Sequence, residues 1–103
     1  MSTRRTYGCF VNYLSNRISN KYYNLALNNY NLANITLDND DKLAYNKLSL
    51  KYTYIATLIN KYDIDSIILR KNICNNNNNI TNDILNAEIT NAKTCYTSLG
   101  LCL

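Results

Sequence analysis

The chain has 103 residues and a formal net charge of +4, with 11 Lys and Arg against 7 Asp and Glu, and it contains no His, Pro, Trp or Gln and a single Glu, Glu88. Such a length supports one small domain with a single core, and the absence of His removes the side chain that titrates near neutrality, and with it Ser–His and Cys–His nucleophile pairs. Without Pro and with only two Gly, neither interrupted helices nor a sheet of tight hairpins is expected.

Residues 1–8 read as a flexible basic N-terminal tail carrying Arg4 and Arg5, and residues 9–103 as a single helical domain. From Cys9 to about Ile35, Val11, Leu14, Ile18, Tyr22, Leu25, Ala26, Tyr30, Ala33 and, just beyond, Leu37 trace one helical stripe, opposite a polar face of Asn, Ser, Arg17 and Lys21. The segment from Leu37 to Asp41 is a short turn in which Asp38, Asp40 and Asp41 offer capping side chains and negative charge for the next helix. A turn this short makes the two long helices antiparallel.

The second helix is expected over residues 41–62 and is the axis of the chain. Tyr45, Leu48, Tyr52, Ile55, Ile59 and Tyr62 form one apolar stripe, with Leu50, Tyr54 and Leu58 beside it. Asp63 and Asp65 cap a further segment holding Ile64, Ile67, Ile68 and Leu69, read as helix. The Asn75–Asn79 run is expected to be an exposed loop. Thr81 starts a last helix with the stripe Leu85, Ile89, Ala92, Tyr96 and Leu99, stopped by Gly100 with Leu101 folding back. The fold class is therefore all-α, an antiparallel helical hairpin extended to a small three- or four-helix bundle.

Four cysteines, Cys9, Cys74, Cys95 and Cys102, match no metal-ligand spacing and are expected as free thiols in a reducing, cytoplasmic setting. No apolar run reaches 18 residues, so no membrane span is expected, and the N-terminus lacks the apolar stretch of a cleaved leader. Asn supplies about one residue in five and Tyr ten, a composition read as the signature of an AT-rich genome. The sequons at Asn34 and Asn79 are expected by chance at that Asn frequency. The run Asp38-Asn39-Asp40-Asp41 lacks the Gly and twelfth-position Glu of a calcium loop. No metal, cofactor, small-molecule substrate or catalytic residue is evident.

What remains is surface. Arg4, Arg5, Arg17, Lys21, Lys47, Lys51, Arg70 and Lys71 are interleaved with Tyr, Asn and Ser, a pattern suited to the RNA phosphate backbone. Tyr13, Tyr23 and Tyr54 cannot all share the core stripe, which leaves them for a protein interface. The expected function is a small non-enzymatic accessory protein docked on a large intracellular assembly, foremost a ribonucleoprotein such as the ribosome. The alternatives are a protein-only helical interaction module, such as a virion component or adaptor, and a secreted cysteine-bridged helical protein.

Overall fold

Side chains that accept from backbone amides set three of the four helix starts. Asp38 accepts from the amides of Asp40 (2.8 Å) and Asp41 (3.0 Å). Asp63 accepts from the Ser66 amide at 3.1 Å, and Thr81 Oγ1 from the Ile84 amide at 3.3 Å. Each satisfies a donor that the first helical turn leaves without an intrahelical partner. The resulting elements are α1 (Ser2–Ile35), α2 (Asn39–Ile59), α3 (Ile64–Asn76) and α4 (Asn82–Ser98). The computed structural model describes the backbone of residues 2–99 and the side chains of residues 14–99. Among these residues there is no strand, and the fold is the all-α bundle expected, with four helices.

The central position of α2 follows from its neighbours: α1, α3 and α4 each pack on it, and α3 also touches α1. Ser19 meets Ala56 and Ala26 meets Ser49, so α1 and α2 are antiparallel. Ser19 also meets Asp63, and Tyr30 meets Asn76, so α3 runs parallel to α1. Two small cores result. Ala26, Leu50, Leu69 and Ile73 form one, and Ile55, Ile59 and Ala92 the other.

The seam between α1 and α2 is built from small side chains. Ser19, Ala26 and Ala33 recur every seven residues, about two helical turns, and all are buried. Facing them, α2 buries Ser49 and Ala56. Small groups let the two backbones approach closely, and the hydroxyls then reach across. Ser49 Oγ donates to the Ala26 carbonyl at 2.7 Å, and Ser19 Oγ lies 3.0 Å from the Ala56 carbonyl. The sequence reading put Ser19 on the outer polar face and Leu48 and Leu58 on apolar stripes; in the structure Ser19 is buried and both leucines are exposed. Bulky residues are displaced to the flanks because a Leu at the seam would hold the helices apart.

Three further boundaries differ from expectation. α1 has helical backbone from Ser2, so residues 2–8 continue the helix instead of preceding it as a tail. At the far end of α2, Asn60 Nδ2 donates to Asn16 Oδ1 at 2.6 Å. The turns of α1 before Asn16 therefore run on past α2; at about 1.5 Å per residue its 34 residues account for most of the 55 Å long axis. α2 stops at Ile59, short of Tyr62. Asn60 caps it, and Asn60 Oδ1 accepts from the Tyr62 amide at 3.0 Å, which turns the chain outward. The asparagine run is only partly an exposed loop. Asn75 and Asn76 finish α3, while Asn77 is half-buried, donates to the Ile73 carbonyl at 2.8 Å and accepts from Asn46 Nδ2 at 3.1 Å. α4 ends with Leu99 in a right-handed helical conformation, and the expected stop at Gly100 and Leu101 lies outside the described residues.

Candidate functional site

The cations singled out in the sequence are spread over several helices. Arg17 and Lys21 are exposed one turn apart on α1, and Lys71 is exposed on α3. Lys47 and Lys51 are half-buried on α2, against α4. Lys71 does not line the cleft that holds Lys47 and Lys51. The side chains of Arg4, Arg5 and Tyr13 lie outside the described residues.

Arg70 is a structural group. Its Nη2 donates to the Thr53 carbonyl at 3.1 Å and to Thr57 Oγ1 at 2.9 Å, and its Nε to Thr53 Oγ1 at 3.3 Å. The guanidinium lies 3.9 Å from the centroid of the Tyr54 ring, a cation–π arrangement. Burial lowers the Arg70 pKa, opposed by neighbouring Tyr54, Cys74 and Asp63. Arg70 is therefore spent on tying α3 to α2, and its assignment to phosphate contact is corrected. Tyr54, placed at a protein interface by the sequence reading, is half-buried beneath Arg70, and burial raises its pKa. Tyr23 is half-buried against the Ala26–Leu50 core.

One group of exposed apolar side chains lies at the corner between α2 and α3. Tyr62 is 75% exposed, Ile64 64% and Ile68 50%. Tyr62 and Ile64 line one small cleft beside Asn16 and Asn20 of α1, and Ile68 lies one turn along α3 on the same face as Ile64. Lys61 holds its ammonium 5.1 Å from the Tyr62 ring, and Lys71 follows Ile68 at helical spacing. The opposite end of α2 carries a second exposed pair, Ile35 and Leu37.

A second cleft, of about 640 Å³, opens between α2 and α4. Lys47 and Lys51 line its α2 wall; Glu88, Asn91, Thr94 and Ser98 line its α4 wall. Glu88 is only 8% exposed and accepts one hydrogen bond, from Asn91 Nδ2 at 3.1 Å. The sequence reading missed it, although a signal existed: the only Glu of the chain falls between Leu85 and Ala92 on the apolar stripe.

Asp38 and Asp63 cap helices at opposite ends of α2. Among the described residues no three His, Cys, Asp or Glu side chains gather to hold a metal ion, and no helix is long and apolar enough to cross a membrane. Cys74 and Cys95 are free and half-buried; the side chains of Cys9 and Cys102 lie outside the described residues.

Comparison of the chain with protein-family models, curated proteins and solved structures finds no match. That result overturns three sequence-based assignments. Nothing connects the chain to RNA binding or to ribosome association, and no relative supports an AT-rich genome as the source of its composition. The internal use of Arg70 and the packing roles of Asn46 and Asn77 supply a physical account of residues that had been assigned to phosphate contact or to codon bias.

Proposed function

We propose that this protein is a non-enzymatic accessory subunit that docks on a larger assembly through protein–protein contacts. The observation that carries this reading is the α2–α3 corner, where Tyr62, Ile64 and Ile68 stand exposed side by side. Contiguous apolar groups on a soluble surface mark interaction sites, and an exposed Tyr among them suits an anchor that fills a partner's pocket. Lys61 and Lys71 flank the corner, so the partner surface is an apolar hollow rimmed by acidic groups. Ile35 and Leu37 at the other end of α2 suit contact with a second neighbour, which would make the rod a strut.

A photo-crosslinker placed at Ile68 in native cells tests this reading, with Asp83 on α4 as the control position. The expected result is a discrete adduct with one larger protein from position 68 alone, lost in a Y62S background. An adduct of twice the chain's own mass would assign the corner to a second copy and overturn the reading. Equal labelling from positions 68 and 83 would overturn it too.

A further inference from the structure

The α2–α4 cleft has walls of opposite hydrogen-bonding character. On α2, Lys47 and Lys51 sit one turn apart and can only donate. On α4, the groups facing the cleft can mainly accept. The Thr94 hydroxyl donates to the Thr90 carbonyl at 3.1 Å and the Ser98 hydroxyl to the Cys95 carbonyl at 2.8 Å. Their protons are thus committed to their own helix, and their oxygen lone pairs remain. Asn91 turns its amide nitrogen to Glu88 and keeps its Oδ1. Glu88 is more than nine-tenths buried, and among the described residues it has no ion-pair partner.

Neither Glu88 oxygen is sealed away without a partner, so its free acceptor positions open onto the cleft. A carboxylate has about four acceptor positions, and Asn91 fills one of those on Glu88. The two lysines across the cleft are themselves half-buried, and the Lys51 ammonium is drawn to within 5.2 Å of the Tyr52 ring centroid. Ala44, Leu48 and Cys95 supply the apolar part of the lining, and the volume of about 640 Å³ lies within the range typical of small-molecule sites.

We propose that this cleft binds a small molecule carrying both an ammonium and an anionic group, of the class of free α-amino acids. The ligand ammonium pairs with Glu88 and the neighbouring Asn91 Oδ1. Its carboxylate spans to Lys47 and Lys51. The site is separate from the α2–α3 corner and stands whether or not the docking reading holds.

The test is a ¹⁵N-resolved NMR titration of the full chain with each common free α-amino acid, alongside succinate (anion without ammonium) and propylamine (ammonium without anion). At least one amino acid is expected to shift the amides of residues 44–51 and 88–98 saturably, with succinate and propylamine binding about ten-fold or more weakly. E88Q should weaken binding by a similar factor while keeping the dispersion and melting of the parent. If E88Q does not fold, K47A/K51A supplies the same readout from the other wall. Three results would overturn the proposal: no saturable shift with any amino acid up to about 10 mM, a range that covers millimolar sites; succinate binding as well as the amino acids; or undiminished binding by the variant.

Discussion

Arg70 shows how a side chain that reads as surface charge becomes structural. Its three hydrogen bonds reach only Thr53 and Thr57, one turn apart on α2, while its face covers Tyr54. Hydrogen bonds from a charged group contribute roughly 1.5–3 kcal/mol and a partly desolvated cation–π contact adds about 1 kcal/mol. R70A is therefore expected to lower the unfolding free energy by about 2–3 kcal/mol, read as a reduced midpoint in urea. R70K should recover less than half, because an ammonium lacks the planar fork. The neighbouring titrations give a pH signature. Burial raises the pKa values of Tyr22, Tyr54 and Cys74 above their ordinary values of 10.0, 10.0 and 9.0. The folded chain thus binds more protons than the unfolded one in the alkaline range, and stability falls as pH rises. This contribution is fully present below pH 9.0 and lost as pH rises through the raised folded values. Urea midpoints measured from neutral to alkaline pH should decline past that point, and less so in Y54F. The lowered Arg70 pKa acts in the opposite sense.

At the scale of the helix, the sequence disclosed most of the plan. Asp38, Asp63 and Thr81 were legible as caps because local hydrogen bonding decides them. The antiparallel hairpin was legible because its turn is short. The face at the α1–α2 seam was not. The apolar stripe of α1 included Ala26 and Ala33, but the line of closest approach also takes in Ser19, which read as polar surface, against Ser49 and Ala56. Nor could periodicity place the end of α2, which depends on Asn60 reaching Asn16 on another helix. The small-residue seam makes a direct prediction. A26L introduces bulk at a fully buried position and should cost about 1–3 kcal/mol by overpacking, although Leu is an excellent helix former and no less apolar. An A26L chain as stable as the parent in urea would mean that the seam is not tightly packed.

For the whole molecule, α1 sets the length and α2 gathers the other helices around it. The candidate site was only partly written in the sequence. Lys47 and Lys51 were picked as cations, but their setting against Glu88 needed the α2–α4 packing. Tyr62 read as core from its spacing, and it is exposed where the chain turns at Asn60. The tyrosines chosen for an interface, Tyr23 and Tyr54, are half-buried in the bundle. The surface best suited to a partner thus includes a tyrosine that periodicity assigned to the interior, and the central claim rests there. Gradient sedimentation of native-cell extract tests it most directly, comparing the parent with a Y62S/I64N/I68N variant of unchanged helix content. The account predicts that the parent migrates with a heavy particle, keeps doing so at raised salt, and that the variant stays at the top of the gradient. A parent that migrates as a free small protein, or a variant that still travels with the particle, would contradict it.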